Sequence, residues 1–360
     1  MGGPIYTDVS RKRGSDLHRW GVRSTVDKSA SPWDAVDRST ATRDTPDMTD
    51  ETDKAPASRG LRRIERKLLE ANLEISEMGN TDRPEYLHAL LCQLGLPRSR
   101  TDERTFQRSA GNASMMISAG GVYNGRDFDL VPLPYGAMPR LTLIHLCSEA
   151  IRQQSPVIDV GDGIKPFMRA LGLKIGGAQW DTFKRQMTYL AAAEMTFGWL
   201  DNGKIRQKKF APVHEFAAWQ DPGTHQRSLW PDEIIMSTAF YETLREHAVP
   251  LDPRAVHALQ GSALALDVYA WLAGRLCRVR KAGGVKLSWA NLKDQFGHEY
   301  RCAKDFKKKF VPALRNALIV YPAAQVSEEM GGIRLYPSPS PIPKTSVIML
   351  RGKDDGKPSD

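Results

Sequence analysis

The sequence lacks the features that are typical of secreted proteins, of membrane-spanning proteins and of proteins with a structural metal site. It has only four cysteines in 360 residues, and they are scattered with no Cys-x-x-Cys pair: Cys92, Cys147, Cys277 and Cys302. This pattern argues against a disulfide framework or a zinc site and is typical of reduced thiols in the cytoplasm. No apolar run is long enough for a transmembrane helix, and the N-terminus has no secretory pattern.

Motifs of the common enzyme classes are also missing. There is no G-x-x-x-x-G-K-[ST] phosphate loop, no G-x-S-x-G nucleophile and no histidine cluster that would hold a metal beside a nicking tyrosine. The eight histidines are dispersed, and His214 and His225 have no third ligand near them in sequence. We therefore expect no enzymatic activity, no metal and no cofactor.

Positive charge is present, and it is concentrated in one short segment. The net charge of the chain is +9. Residues 1–80 contain 14 basic and 14 acidic residues, whereas residues 275–315 contain 12 basic and 3 acidic residues. The net charge of residues 275–315 is therefore as large as the net charge of the whole chain. A local concentration of this kind favours a surface that binds an acidic partner, above all nucleic acid.

The two ends of the chain differ in composition from the middle. Residues 1–56 are polar with few large apolar groups, which predicts a disordered tail, and residues 343–360 are expected to be a loose tail. Residues 57–84 predict an amphipathic helix and linker, with Leu61, Ile64, Leu68 and Ile75 on one face. This helix either docks on the body of the protein or contacts a partner, and docking is the more common outcome.

Two segments of the globular part show the same order of elements. Within residues 85–230 we expect a helix opened by Pro139, a strand at 157–160, a short helix ended by Gly172, a longer helix at 179–195, and a hairpin turning at Asp201-Asn202-Gly203. Within residues 231–342 we expect a helix at 262–281, a strand at 285–289, two further helices and a hairpin turning at Gly331 and Gly332. Helix, strand, helix, helix, hairpin is the order of a winged helix. The sequence therefore predicts a mainly α protein with small β-hairpins (α+β), made of two tandem winged-helix domains.

The segment "CAKDFKKKF" at residues 302–310 carries the strongest signal for function. On a helix, Phe306 and Phe310 face one side with Ala313 and Leu314, while lysines gather on the other side. Lys304 and Lys308 repel each other at i, i+4, and bound phosphates would relieve that repulsion. Pro312 predicts either a kink or a break into two short helices.

In a winged helix this segment would enter the major groove of double-stranded DNA. The DNA-binding residues expected in the second unit are Lys286, Lys293, Arg301, Lys304, Lys307, Lys308, Arg315 and Arg334. Auxiliary contacts from the first unit are expected at Lys184, Arg185, Lys204, Arg206 and Lys208. The first unit is also expected to mediate self-association, so that a homodimer is possible.

Two stretches resemble a known family. The run "LPYG…PRL" at Leu133 to Leu141 and the following "GD…F…LGL…GG" pattern resemble the plasmid-encoded RepA family of replication initiators, over roughly residues 110–330. The resemblance implies a bacterial cytoplasmic protein associated with plasmid or nucleoid. It also implies binding to repeated sites (iterons) at a plasmid origin, opening of nearby duplex and recruitment of the host helicase and other replication proteins. An alternative interpretation is a winged-helix transcriptional regulator, such as an autorepressor, without initiator activity.

Overall fold

The computed structural model describes residues 63–123, 125–159, 164–201, 203–211, 213, 215–216 and 233–343. The expected disordered tail at 1–56 lies outside these residues, as do His214, His225 and all but the first residue of the expected C-terminal tail. All described residues belong to one unit, Arg59–Asp360. The predicted domain boundary near residue 230 stays a prediction, because residues 217–232 are not described.

The described residues contain ten helices. They are α1 (Arg63–Glu77), α2 (Ala89–Gln93), α3 (Ala137–Arg152), α4 (Ile164–Ala170), α5 (Gly177–Ala192), α6 (Thr238–His247), α7 (Pro253–Leu259), α8 (Ala263–Leu276), α9 (Trp289–Phe296) and α10 (Ala303–Ile319). Of the predicted helices, the one at 262–281 is shorter than expected. It ends at Leu276 with Cys277 as its C-cap, so that Arg278, Arg280 and Lys281 follow it.

Strands are short and pair in small antiparallel sheets. They are β1 (Glu85–His88), β2 (Thr105–Ala110), β3 (Ala113–Ser118), β4 (Gly121–Tyr123), β5 (Phe128–Leu130), β6 (Val157–Asp159), β7 (Glu194–Asp201), β8 (Lys204–Phe210), β9 (Glu215–Phe216), β10 (Glu233–Ile235), β11 (Ala248–Leu251), β12 (Val285–Ser288), β13 (Val326–Glu329) and β14 (Gly332–Leu335). The described part of the chain is thus a mixed α/β structure, and its helices outnumber its sheets.

The first unit has the predicted order of elements but a strand pairing that the order did not indicate. The hairpin β7–β8 forms as expected, with Gly203 at a φ of +78° in the turn. However, β6 pairs with β10, and the hairpin joins β2 and β3 in a sheet of order β2-β3-β7-β8. In a winged helix the strand before the second helix pairs with the hairpin. In the second unit that strand, β12, pairs with the second strand of its hairpin, β14, whereas β6 pairs with β10 and β8 is left as the edge of its sheet.

The strand β3 joins the hairpin to the core. Its alternation buries Ala113, Met115 and Ile117, which places one face of the strand on the core beside the buried Met195 and Phe197 of β7. Period-2 alternation of this kind is the signature of a half-buried strand. No element was predicted between residues 85 and 133, and the pairing of β3 with β7 was therefore not expected from sequence.

The second unit has the predicted order of elements, and its three strands form one small antiparallel sheet. Its elements follow as α8, β12, α9, α10, β13 and β14, and the sheet has the order β12-β14-β13. Ser288 is the N-cap of α9. Its hydroxyl accepts a hydrogen bond from the Asn291 amide at 3.1 Å in a reciprocal capping box, which sets the start of the helix at a defined residue.

Helix α8 forms the centre of the core. Its residues are buried along almost its whole length, and it packs against α2, α3, α7, α10 and β11. The predicted amphipathic helix α1 docks on the body, as favoured by its sequence: it packs on α7 and α10, and Asn72 Nδ2 donates to the Ile319 carbonyl at 2.6 Å. Leu68 is buried, while Ile64 on the same predicted face is exposed.

Candidate nucleic-acid interface

One side of α10 is seated in an aromatic cluster. Phe306 and Phe310 are both 0% exposed. The Phe310 ring lies 5.5 Å from the ring of Phe296 and 6.3 Å from that of Trp289, and the Phe306 ring lies 5.8 Å from that of Tyr300. Burial of such rings contributes several kcal/mol of stabilisation, roughly 3–5 for a whole phenylalanine side chain. The helix therefore has a fixed rotation about its axis.

Helix α10 runs through Pro312 as one helix from Ala303 to Ile319. Of the two alternatives that Pro312 left open, a kink or a break into two short helices, the break does not occur. The proline removes one backbone donor, but the buried residues on both sides of it, among them Phe310 and Ala313, hold the two halves against the same core. Packing on both sides outweighs the local cost of the proline.

The fixed rotation of α10 presents a cationic face to solvent. Lys304, Lys308 and Arg315 are exposed. At about 100° per residue they fall within about 40° of one another, roughly opposite Phe306. Within the described residues, none of the three forms an ion pair with an acidic side chain. This set of three, called the cationic face below, is the part of the prediction that the structure brings together.

The N-terminal end of α10 adds a further cation. Arg301 is exposed and lies just before the helix. Cys302 caps the helix through its sulfur, which accepts from the Asp305 amide at 3.5 Å. Backbone N–H groups at a helix N-terminus carry partial positive charge. Arg301 therefore lies where an anion would also be favoured by the helix.

Lys307 does not share the environment of its neighbours. Its Nζ lies 3.0 Å from Glu328 Oε1 and 4.5 Å from the centre of the Trp289 ring. Around the helix axis, Lys307 lies about 100° from Phe306, whereas Lys304 and Lys308 each lie about 160° from it. Lys307 was predicted to act together with Lys304 and Lys308, and its contacts separate it from them.

Arg334 is also engaged within the protein. It lies on β14, and its guanidinium donates two hydrogen bonds to Glu329 at 2.5 and 3.1 Å and one to the Gly283 carbonyl at 3.0 Å. The bond to Glu329 raises the pKa of Arg334 and lowers the pKa of Glu329. Lys286 lies directly across from Arg334 on β12 and is exposed, whereas Lys293 in the last turn of α9 is half-buried.

The predicted auxiliary residues lie on two elements of the first unit. Lys184 is half-buried and Arg185 exposed on α5. Lys204, Arg206 and Lys208 are exposed on β8, and their alternation puts them on one face of that strand. They belong to the sheet of β2, β3 and β7, separate from the sheet β12-β14-β13.

In chemical terms, the second unit combines a rigid helix with an exposed cationic face. Such a surface is suited to a polyanion, because each lysine or arginine that neutralises a phosphate releases condensed counterions. Among the described residues, no cluster of three or more histidine, cysteine or acidic side chains could hold a metal ion, and no helix is both long and apolar enough to cross a membrane.

Comparison with known families confirms the resemblance seen in the sequence. Residues 133–291 match the family described as plasmid encoded RepA protein. This segment, which is less than half of the chain, is therefore similar to the plasmid-encoded RepA family. The match is narrower than the range of roughly 110–330 expected from sequence, and α10 lies beyond its end.

Comparison with solved structures gives distant likenesses. A selenomethionine derivative of domains 2 and 3 of RctB shares 13% identity, covers 68% of this chain and 93% of its own, and has a TM-score of 0.44. A second structure of RctB domains 2-3 shares 12% identity, covers 73% and 99%, and has a TM-score of 0.43. At these values the likeness carries no argument about fold or function. No curated protein shows a significant match to the chain.

Proposed function

We propose that residues 263–335 are a winged helix that binds double-stranded DNA through α10. The order of the helices and strands supports this assignment, as does the sheet order β12-β14-β13. In that architecture α10 is the helix that enters the major groove. The single observation that carries the proposal is the cationic face of α10, exposed opposite two fully buried phenylalanines.

The match of residues 133–291 to the plasmid encoded RepA protein family indicates the biological setting of this DNA contact. We propose that the chain is a plasmid replication initiator, which binds repeated sites (iterons) at the plasmid origin, promotes opening of the duplex and recruits the host helicase and other replication proteins. In this proposal the protein supplies binding and geometry, and the recruited host enzymes supply catalysis.

For the first unit we propose an auxiliary role. The exposed cations of β8 suit a phosphate backbone, and Arg185 of α5 is a further exposed cation of this unit. The strand β8 forms one edge of its sheet, and such an edge suits pairing with a second copy of the chain. Self-association through this unit is therefore part of the proposal.

A salt titration tests the DNA contact. Binding of a duplex that carries the repeats flanking the gene would be followed by fluorescence anisotropy at several salt concentrations. Lys304→Ala and Lys308→Ala should each make the slope of log affinity against log salt shallower by about 0.9. Lys309→Ala is the matched control, since this exposed lysine on the same helix lies about 120° from the centre of the cationic face. Unchanged slopes for Lys304→Ala and Lys308→Ala would contradict the proposal.

A replication assay separates an initiator from a transcriptional regulator. The gene and its flanking DNA would be cloned into a plasmid without an origin and introduced into a bacterial host. Only an initiator would maintain the plasmid. Incubation of the protein with supercoiled DNA and Mg²⁺ is the companion test, and a covalent tyrosine adduct or a nicked product would show that the protein has nuclease activity of its own.

A further inference from the structure

Glu328 occupies an unusual place in the hairpin β13–β14. In the antiparallel register Glu328 lies directly opposite Ile333, which in turn lies opposite Leu287 of β12. Residues directly opposite each other point to the same face of a sheet. Ile333 is 0% exposed, so that Glu328 projects from the inner face of the hairpin, where the alternation would otherwise place an apolar side chain.

This carboxylate meets Lys307 of α10. The two charged atoms are 3.0 Å apart, and their side chains retain 43% and 45% exposure. The pair therefore lies at the rim of the core, between the hairpin and the helix. It connects α10 to the hairpin that follows this helix in sequence.

Trp289 completes the contact from a third element. The Lys307 ammonium lies over its ring, 4.5 Å from the ring centre, which is well within the range of cation–π attraction. The backbone amide of Trp289 donates to the Gly331 carbonyl in the hairpin turn at 3.0 Å, and its ring packs edge-on against Phe310 of α10. Trp289, the first residue of α9, thus contacts both the hairpin and α10.

We propose that Lys307, Trp289 and Glu328 form a clamp that anchors the hairpin on α10, and that Lys307 is a positioning residue and not a phosphate contact. A lysine that already has a carboxylate and an aromatic ring must give up both before it can reach DNA. Lys304 and Lys308 have no such partners among the described residues. The assignment of Lys304 and Lys308, but not Lys307, as phosphate contacts rests on the proposed function. The clamp itself is a property of the DNA-free protein.

Hydrogen–deuterium exchange of the DNA-free protein tests the clamp. Lys307→Met retains the apolar stem and removes the charge, and Glu328→Gln retains the shape of its partner. Each should accelerate exchange of the hairpin amides at 326–335 by about two- to tenfold, because local opening becomes easier by the strength of an exposed ion pair and cation–π contact. The double variant should exchange no faster than the faster single variant. Lys308→Met is the control, and its hairpin should exchange at the wild-type rate. Wild-type exchange in Lys307→Met, or additive effects in the double variant, would overturn the clamp.

Salt-dependent DNA binding tests the division of labour. Lys304→Met should make the slope of log affinity against log salt shallower by about 0.9, while Lys307→Met should leave that slope unchanged even if the affinity falls. A loss of nearly one unit in Lys307→Met would show a phosphate contact and overturn the assignment. If neither variant changes the slope, the proposed DNA surface fails, and the exchange result still decides the clamp independently.

Discussion

Arg140 and Asp267 form a two-point ion pair in the interior of the protein. Arg140 Nε lies 2.6 Å from Asp267 Oδ1 and Nη2 lies 2.8 Å from Oδ2, and both residues are buried. The first belongs to α3 and the second to α8, so the pair joins the element that opens the first predicted unit to the central helix of the second. Arg140 also donates to the carbonyls of Leu96, Pro97 and Gly136.

Two further guanidinium groups face the same carboxylate. Arg98 Nη1 and Arg108 Nη1 lie 3.8 and 3.9 Å from Asp267 Oδ2. Arg98 is also paired with Glu299 at 2.9 Å. The Arg108 side chain is fully buried and has no hydrogen-bond acceptor among the described residues. Burial lowers the pKa of Arg108 to about 10, which still leaves it charged at neutral pH. Asp267 is thus the shared counter-charge of three arginines.

Removing this counter-charge should be strongly destabilising. Asp267→Asn keeps the shape of the side chain but leaves buried guanidinium groups without their partner, and we expect a loss of about 3–5 kcal/mol in the free energy of unfolding. Urea denaturation followed by circular dichroism measures it. Glu299→Gln is the comparison, since Glu299 is partly exposed and within the described residues its ion pair is with Arg98, and it should cost only about 1 kcal/mol. Equal losses in the two variants would contradict the shared role of Asp267.

Gly95 is required by its distance from the same carboxylate. A Cβ at this position would lie 2.6 Å from Asp267 Oδ1, and the hydrogen bonds from Arg140 prevent that carboxylate from moving aside. Gly95→Ala should therefore destabilise the protein by about 1–3 kcal/mol. Gly261→Ala is the control, because no atom lies within 4 Å of the added Cβ, and its effect should stay within about 0.5 kcal/mol. A neutral Gly95→Ala would show that the carboxylate can shift freely.

His88 should make stability fall in mildly acidic solution. Its ring lies among Phe197, Phe210 and Phe240 and near His247. Burial, aided by the His247 charge, lowers the pKa of His88 from 6.5 to about 4. The unfolded chain therefore binds a proton that the folded chain does not bind between these pH values. The stability due to neutral His88 is present above pH 6.5 and is lost as the pH falls toward 4, by about 3 kcal/mol in total.

His88→Asn tests this pH dependence. The asparagine oxygen can still accept the hydrogen bond that Leu90 N–H donates to His88 Nδ1 at 3.1 Å, but it does not titrate. The plot of unfolding free energy against pH should flatten between pH 6.5 and 4 in the variant. A slope equal to that of the wild type would show that other groups cause the loss.

Phe310→Ala should separate the two sides of α10. The ring is fully buried, 5.1 Å from the Phe306 ring and 5.5 Å from the Phe296 ring. Its removal leaves a cavity and should cost about 3–5 kcal/mol in thermal or chemical denaturation. Lys308→Ala, on the exposed side, should change stability by no more than about 0.5 kcal/mol. A comparable loss in Lys308→Ala would mean that this side of α10 also supports the fold.

The sequence by itself determined the features that depend on local periodicity. The helical spacing of Phe306 and Phe310 against Lys304 and Lys308 predicted which side of α10 is buried, and turn residues such as Gly203 predicted the hairpins. These signals are local, because a helix repeats about every 3.6 residues and a strand every two. The order of elements in both units could be predicted for the same reason.

Tertiary structure alone decided which of those elements and charges meet. The periodicity of β6 is the same whether it pairs with β10 or with the hairpin, and only the packed structure shows that β10 is its partner. The charges of Lys307 and Arg334 resemble those of Lys304 until the fold brings Glu328 and Glu329 beside them. Arg140 and Asp267 are separated by 127 positions. A contact across such a distance depends on how whole elements pack, and no short window of sequence records it.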